Sequence, residues 1–303
     1  MSASPPPSIF TLTGNLLAER TLEFSDWAVG RTQRAQRETF QVGGKGINVS
    51  KMLQRLGAAT TALCFTGGAP GAECSQWLAR QPFASHVFST VNSTRIGLVV
   101  RGGPQPETTF FGPDVAPDAA AIRACADFVE AQPRGQVLAI CGSIPGWSTP
   151  AYDPLRTALT GWLAQGHLAA DTYGPPLAWF AAQPLSLVKI NATELRTLFP
   201  HEPSSASIPA LLQLAASRYA ARRWIVSDGA APVWCQEGNS PPTSVTPPRV
   251  LEVSPTGSGD VLFAGVLETF FRRGATLADS VSRALPLAAA NAAHPGVADF
   301  PLP

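Results

Sequence analysis

Residues 252–274 read EVSPTGSGDVLFAGVLETFFRRG, a glycine-rich stretch that runs directly into an apolar helical pattern. The predicted helix has a broad apolar face and ends in two arginines and a glycine, which are typical of a helix C-terminus. The amides of Gly257, Ser258 and Gly259 would form an anion-binding concavity at its start. Asp260 follows at once, although taken alone an acid at this position is an ordinary feature of helix starts.

A second glycine-rich stretch, QVGGKGINVSKMLQRLG at 41–57, also leads into a predicted helix. Neither stretch contains the GK[ST] of a P-loop, and Leu262 stands where the dinucleotide-binding GxGxxG needs its third glycine. The sequence therefore excludes a Walker-type ATPase and a standard nicotinamide enzyme. Two glycine-rich helix starts in one chain favour a functional role for Asp260.

Short β-rich runs alternate with helical patterns along most of the chain. Strands are predicted at 8–14, 60–68, 136–143, 167–174, 186–192 and 223–229, and helices near 46–56, 116–131, 150–165, 205–220, 260–273 and 276–293. Apolar strands separated by helices are typical of a parallel sheet that is covered on both faces. The predicted fold class is therefore α/β.

Polar residues follow several of these strands at the point where each should end. Ser143, Asp171, Asn191 and Ser227 come after the apolar cores of four different predicted strands. Ligands of open parallel sheets bind beyond the carboxyl ends of the strands, so the four positions together predict one shared cleft. Any one of them alone is better explained as the polar end of a strand.

Two early segments, about 18–42 and 94–112, break the alternation and have the alternating polarity of extended hairpins. We expect them to form a small separate β-layer over one edge of the main sheet. We further expect residues 1–303 to form a single domain with this layer as its lid.

The composition limits the classes of function. Of 303 residues, 45% are hydrophobic and 14% are charged, and the net charge is +1, which favours a globular protein without affinity for nucleic acid or an anionic membrane. The five cysteines are dispersed, which predicts buried free thiols in a reducing compartment, and no apolar run reaches membrane-spanning length. A cytoplasmic location is expected.

GGKGINVSKMLQRLG and PTGSGDVLFAG together resemble the two signatures of the PfkB/ribokinase family of carbohydrate kinases. The resemblance covers nearly the whole chain, since TGNLLAERT, STRIGLVV, ETTFFGP, CGSIPGW, DTYG, VKINATEL and VSDG follow in the family's order. It implies a three-layer α/β/α ribokinase-like domain with a mostly parallel central sheet and a small β-sheet lid, which pairs into a homodimer. The TR and ET…GP runs point to the hexose-phosphate branch, similar to 1-phosphofructokinases and tagatose-6-phosphate kinases.

The resemblance also implies the chemistry, which is transfer of the ATP γ-phosphoryl group to a sugar hydroxyl with magnesium present. Asp260 would accept the proton of the attacking hydroxyl, and the amides of Gly257, Ser258 and Gly259 would hold the charge that develops on the phosphoryl oxygens. The other implied site residues are Glu19, Gly43, Gly44, Lys45, Asn48 and Arg95 for the sugar substrate, Lys189, Asn191, Ser227, Gly229 and Asn291 for ATP, and Glu194 with Asn191 for magnesium, through water.

Two alternatives remain open. A kinase of an unphosphorylated sugar or a nucleoside is disfavoured by Lys45 and Arg95, because a neutral substrate needs no pair of cations. A non-catalytic relative that binds a sugar phosphate or a nucleotide is suggested by Pro232 and Pro255, which replace residues of the family pattern, whereas the intact Asp260 argues against it. Further departures from the pattern are Leu16, Glu19, Gly97 and Ser258.

Overall fold

A computed structural model describes residues 6–103 and 107–302, and within them the chain forms thirteen strands and nine α-helices. The strands are β1 (Ile9–Thr13), β2 (Leu17–Glu23), β3 (Arg37–Gly43), β4 (Thr60–Thr66), β5 (Ala84–Ser89), β6 (Arg95–Arg101), β7 (Thr108–Phe111), β8 (Val137–Cys141), β9 (His167–Asp171), β10 (Leu187–Asn191), β11 (Arg223–Ser227), β12 (Val233–Glu237) and β13 (Thr243–Val245). The helices are α1 (Lys45–Arg55), α2 (Gly68–Leu78), α3 (Ala119–Glu130), α4 (Asp153–Trp162), α5 (Pro175–Ala182), α6 (Ala192–Thr197), α7 (Ile208–Arg218), α8 (Ser258–Val266) and α9 (Leu277–Ala292).

The main sheet has the order β13-β12-β11-β10-β9-β8-β1-β4-β5 within the described residues. From β11 to β5 every neighbouring pair is parallel, and β12 and β13 continue the sheet as antiparallel strands. The central strands β1 and β8 are buried at every position, because helices cover both of their faces. The predicted α/β fold is thereby confirmed, and all six predicted strands lie in the parallel part.

Two apolar layers enclose this sheet. Helices α3, α4, α5, α6 and α7 bury side chains against one face, and α1, α8 and α9 bury theirs against the other. The arrangement is the expected three-layer α/β/α architecture. All five cysteines are buried free thiols. No helix in the described part of the chain is both long enough and apolar enough to span a membrane.

A smaller, separate sheet has the order β3-β2-β6-β7 in the part of the chain that the structure describes. Its strands come from the two segments that break the alternation in the sequence, although residues 104–106 of the second segment lie outside the described residues. The register aligns Leu17 with Gly43 on one side and with Arg95 on the other. Arg95 therefore begins its strand level with Gly43 at the start of α1, with β2 between them.

The helix predicted near 260–273 is present, but its pitch changes along its length. It is α-helical to Val266 and continues as a π-helix over Leu267–Arg272. The hydroxyl of Thr269 donates to the carbonyl oxygen of Gly265 at 2.7 Å, and such a side-chain bond competes with the backbone hydrogen bonds of the helix. This side-chain hydrogen bond lies at the position where the helix changes from α-helical to π-helical.

Candidate active site

The carboxyl ends of β8, β9, β10 and β11 meet at one edge of the main sheet. In register, Cys141 lies beside Asp171, and Asn191 lies beside Ser227. Ser143 follows β8 by two residues and joins the same edge. The strand-end residues therefore share one edge of the sheet, which is where the sequence predicts the cleft.

The start of α8 faces this edge. Gly257 is the N-cap with φ 76°, a left-handed conformation that suits glycine. Gly259 lies against the ammonium group of Lys189, since a Cβ atom placed on Gly259 would stand 2.8 Å from Lys189 Nζ. The start of α8 and Lys189 of β10 therefore lie next to each other.

The three amides predicted to bind an anion differ in their hydrogen bonding. The amide of Ser258 donates to the carbonyl oxygen of Pro255 at 3.2 Å, so the preceding turn already uses it. Among the described residues, nothing accepts a hydrogen bond from the amides of Gly257 or Gly259. In this conformation two of the three predicted donors remain available to an anion.

Asp260 lies in the first turn of α8 and is only 5% exposed. Its Oδ2 accepts a hydrogen bond from Asn48 Nδ2 at 2.7 Å, which connects the two glycine-rich helix starts. Burial raises the pKa of Asp260 to about 6; the Asp171 charge adds to the rise, while Lys45, the Asn48 hydrogen bond and Lys189 oppose it. A carboxylate with this pKa can exchange a proton near neutral pH.

Asp171 bridges two lysines beside Asp260. Its Oδ1 accepts from Lys45 Nζ and its Oδ2 from Lys189 Nζ, both at 2.6 Å. Burial alone would raise the pKa of Asp171, but the two ammonium groups lower it. Burial alone would lower the pKa of Lys45, but the charges of Asp171, Asp260 and Glu194 together raise it. Both partners are therefore ionised.

From the sequence, Asp171 was predicted only to end a strand at the shared cleft and had no assigned chemical role. The signal was nonetheless present, because an acid that ends a fully apolar strand must find partners when it is buried. Lys45, which the family resemblance assigns to the sugar substrate, is paired with Asp171 in this conformation.

Asn191 and Glu194 form a capping box at the start of α6. Asn191 Oδ1 accepts from the Glu194 amide and Glu194 Oε2 accepts from the Asn191 amide, both at 2.8 Å. The other oxygen, Oε1, lies 3.8 Å from Lys45 Nζ. No group of three or more His, Cys, Asp or Glu side chains among the described residues could hold a metal ion. One available carboxylate oxygen fits Mg²⁺ that takes its other ligands from phosphates and water.

Arg95 lies at the other end of the cleft and is paired. Its Nη1 donates to Asp114 Oδ1 at 2.9 Å, and its Nη2 lies 3.4 Å from the carbonyl oxygen of Asn15. Asn15 Nδ2 donates both to Asp114 Oδ1 at 2.8 Å and to Ser143 Oγ at 2.9 Å. Asp114 and Asn15 were not among the predicted site residues, although Asn15 lies in the run TGNLLAERT that forms part of the family resemblance.

The glycines before α1 permit close packing. A Cβ atom on Gly44, whose φ is 129°, would stand 2.6 Å from Thr13 Cγ2, and a Cβ on Gly43 would stand 3.2 Å from Glu19 Oε2. Glu19 accepts a hydrogen bond from Gln41 Nε2 across the smaller sheet. These contacts bring the start of α1, with Asn48, close to the end of β1.

The residues predicted for the nucleotide are only partly brought together. Ser227 is half-buried at the end of β11, and Gly229 is exposed with φ 53° and no neighbouring atom within 4 Å of a Cβ placed on it. Asn291 is fully buried. Its side chain donates to Thr256 O and Ser258 Oγ and accepts from the Ala298 amide, at 2.9, 3.1 and 2.8 Å. In this conformation Asn291 supports the loop before α8 and does not face the cleft.

Comparison with known proteins identifies related chains. Residues 17–303 match the family described as pfkB family carbohydrate kinase. A 1-phosphofructokinase of Bacillus subtilis strain 168 is 28% identical over 193 residues, which is 63% of this chain but only 62% of that enzyme. A 1-phosphofructokinase of Borreliella burgdorferi is 25% identical over 294 residues, which is 96% of this chain and 94% of that enzyme.

The fold has close neighbours among solved structures. A mutant of phosphofructokinase-2 from Escherichia coli superposes with a TM-score of 0.87 at 24% identity and covers 95% of this chain and 94% of that one. At this identity the likeness shows the shared fold, including the main parallel sheet and the smaller sheet.

Proposed function

We propose, because the chain belongs to the pfkB family of carbohydrate kinases, that it transfers the γ-phosphoryl group of ATP to a hydroxyl of a sugar phosphate. Related chains that are named 1-phosphofructokinase support a phosphorylated ketohexose as the acceptor. Fructose 1-phosphate and tagatose 6-phosphate are the two acceptors to test first.

One observation carries the proposal: Asp260 is buried at the start of α8, is oriented by Asn48, and lies beside the Lys45–Asp171–Lys189 bridge. Asp260 accepts the proton of the sugar hydroxyl as the hydroxyl attacks. Proton transfer to a positioned carboxylate contributes about 10²–10⁴-fold in rate. The remaining rate enhancement comes from positioning and electrostatics, as in other phosphoryl transfers.

The groups around Asp260 also supply positive charge to the reacting phosphoryl group. The amides of Gly257 and Gly259 and the ammonium groups of Lys45 and Lys189 stabilise the phosphoryl oxygens as they gain charge. These donors are in place before the reaction, so little reorganisation is needed in the transition state. Asp171 holds the two ammonium groups in position, as its two 2.6 Å hydrogen bonds indicate.

Nucleotide and metal bind beside the ends of β10 and β11. Lys189, Asn191, Ser227 and Gly229 line the ATP side, and Asn291 acts indirectly by holding the loop before α8. Glu194 would hold Mg²⁺ with its available Oε1 atom, and Asn191 fixes the Glu194 side chain. Magnesium bound with ATP supplies charge neutralisation at the phosphates.

The sugar lies between the start of α1 and the smaller sheet. Gly43, Gly44 and Asn48 contact its hydroxyl groups, Glu19 accepts hydrogen bonds from them, and Arg95 binds the phosphate that the sugar already carries. The smaller sheet acts as a lid of the single kinase domain and excludes water, which limits hydrolysis of ATP.

A second candidate function is the phosphorylation of an unphosphorylated sugar or a nucleoside. One observation favours it, namely that Lys45 and Arg95 are already paired with Asp171 and Asp114. A neutral substrate would leave both pairs intact. The names of the related enzymes favour the sugar phosphate, and for that reason it is ranked first.

Oligomeric state and location complete the proposal. Ile96, Phe110 and Phe111 of the smaller sheet are 54%, 55% and 60% exposed, and apolar exposure of this extent favours a homodimer through the lid. Buried free thiols agree with a reducing compartment, so the cytoplasm is the proposed location.

The test is ADP release from MgATP across a panel of sugars, sugar phosphates and nucleosides, for the wild type and Asp260→Asn. We expect turnover of a ketohexose phosphate and a loss of kcat of about 10²–10⁴-fold in the variant. Asp279→Asn is the matched control, because Asp279 is also the third residue of its helix but is exposed in the first turn of α9. Its kcat should equal that of the wild type.

Three results would change the proposal. Undiminished kcat in Asp260→Asn would exclude Asp260 as the base. Turnover of only neutral sugars or nucleosides would support the second candidate. No turnover at all, combined with thermal stabilisation by sugar phosphate or ATP, would indicate a binding protein that has lost catalysis.

A further inference from the structure

Arg95 and Asn15 form an anion-binding cradle that the protein's own carboxylate fills. Asp114 Oδ1 accepts from Arg95 Nη1 at 2.9 Å and from Asn15 Nδ2 at 2.8 Å. Asp114 belongs to the segment between β7 and α3, outside regular secondary structure. One oxygen of a side chain thus occupies the point where two donors converge.

The donor Arg95 is largely buried, whereas the acceptor Asp114 is largely exposed. The side chain of Arg95 is 13% exposed, and its guanidinium group lies 5.2 Å from the centre of the Phe111 ring. The side chain of Asp114 is 58% exposed. A pair with one partner in solvent contributes little to stability, so Asp114 can leave at low cost.

Arg95 also has an unmet donor. Its Nε is buried and has no hydrogen-bond partner among the described residues. A guanidinium group binds best to an acceptor that presents two oxygens side by side, and Asp114 occupies only Nη1. Asp114 therefore leaves one hydrogen-bond donor of Arg95 without an acceptor.

The cradle is connected to the reaction centre by direct contacts. Asn15 Nδ2 donates to Ser143 Oγ at 2.9 Å, and the side chain of Lys45 crosses over the neighbouring Gly142. A Cβ atom on Gly142 would stand 3.6 Å from Lys45 Cβ. A sugar phosphate that extends from Lys45 to Arg95 would reach both ends of the cleft.

We propose that Asp114 is a built-in counter-ion of Arg95 that the phosphate of the sugar substrate displaces, and that Asp114 thereby selects dianionic acceptors. This inference rests on the proposed function for the identity of the acceptor. A phosphate monoester carries about −1.5 to −2 charges at pH 7 and can bind Arg95 in a bidentate manner, so it outcompetes a carboxylate. A neutral sugar or a singly charged acid cannot replace Asp114, which discriminates against both.

The experiment measures anion binding and the kinetics of Asp114→Asn, which keeps the shape of the side chain and removes its charge. We expect inorganic phosphate and the sugar phosphate to bind about twofold to fivefold more tightly in calorimetry, as is typical for a partly exposed ion pair. The KM for the sugar phosphate should fall by a similar factor, while the KM for ATP stays constant. The gain in phosphate affinity should disappear in Asp114→Asn combined with Arg95→Gln.

Asp153→Asn is the matched control, because Asp153 is 68% exposed and pairs with Arg156, which is 19% exposed, on α4. It should not alter phosphate binding. Weaker binding in Asp114→Asn, binding equal to wild type, or no measurable binding to either protein would each overturn the inference. If no sugar phosphate is turned over but phosphate still binds more tightly to Asp114→Asn, the proposed function is refuted. The inference that Asp114 is a displaceable counter-ion of Arg95 is then retained.

Discussion

At the scale of the residue, two buried carboxylates at the same sheet edge have opposite properties. Asp171 receives hydrogen bonds from two ammonium groups, which hold its pKa below the ordinary value. Asp260 receives one from the neutral amide of Asn48, so burial dominates and raises its pKa. Asp171 is therefore permanently charged and positions the lysines, whereas Asp260 is free to take up a proton.

The pKa of Asp260, about 6, predicts the pH dependence of turnover. Below that pH the carboxyl group is protonated and cannot accept the proton of the sugar hydroxyl, so kcat at saturating sugar phosphate should fall about tenfold per pH unit. Above that pH the carboxylate is ionised, so the rate should not change with pH. Initial rates measured from about pH 5 to about pH 9 check the profile, and the residual activity of Asp260→Asn should lack the acid limb. A wild-type profile that stays level across the acid range would contradict the assignment.

At the scale of the element, the start of α8 is braced by the segment that follows α9. Val297 packs against Gly257, Lys51 Nζ donates to Val297 O at 2.9 Å, and Asn291 binds both Thr256 O and the Ala298 amide. Ala298 adopts φ 51°, a left-handed conformation that costs free energy for a residue with a Cβ atom. The brace therefore keeps the available amides of Gly257 and Gly259 in position.

Substitution of Gly257 by Ala tests this brace. The added Cβ atom would stand 2.2 Å from Val297 Cγ1, in addition to the strain of φ 76°, so the free energy of unfolding and kcat should both fall. Gly274→Ala is the control, because Gly274 has φ 68° but no atom within 4 Å of an added Cβ. The control should lose only about 1–2 kcal/mol, the cost of the left-handed conformation.

Urea unfolding and steady-state rates measure both variants. Adding Val297→Ala to Gly257→Ala should restore part of the lost stability, since it removes the clashing methyl groups. Equal losses of stability in Gly257→Ala and Gly274→Ala would mean that Val297 does not brace the helix start.

At the scale of the whole molecule, the smaller sheet joins the rest of the chain through apolar and polar contacts, since its Ala18 and Val42 pack in one cluster with Cys74 and Leu78 of α2. Arg20 is paired with Glu73 of α2 at 2.9 Å, and Arg101 Nη2 donates to Pro295 O at 2.7 Å. Its β6–β7 edge is instead left with apolar side chains in solvent. A second copy of the chain would cover that edge.

Substitution of Phe110 by Ser tests the proposed dimer. Phe110 is 55% exposed on the edge strand β7, and a hydroxyl group there removes the apolar contact that drives association. In analytical ultracentrifugation the wild type should sediment as a dimer and the variant as a monomer at the same concentration. Val91→Ser, at a residue that is 86% exposed outside the smaller sheet, should remain dimeric. A monomeric wild type would refute the lid-to-lid dimer.

The sequence predicted the order of the main elements because local patterns fix them. It missed α2, α5, α6, β5, β12 and β13. The first turn of α2 contains Gly68, Pro70 and Gly71, residues that disfavour helices, and burial of Cys74 and Leu78 outweighs that preference. Strand β12 is a short antiparallel addition that ends in Gln236 and Glu237, so the apolar pattern of the parallel strands does not extend to it.

The sequence by itself determined the two glycine-rich helix starts, the strand ends that form the cleft and the position of Asp260. Only the tertiary structure decided which charges are paired, since Lys45 meets Asp171 across 126 positions and Asn48 meets Asp260 across 212. The tertiary structure also buries Asn291 and pairs Arg95 with Asp114. Local patterns follow from backbone geometry and burial, but the partner of a buried charge depends on which distant segments the fold brings within hydrogen-bonding distance.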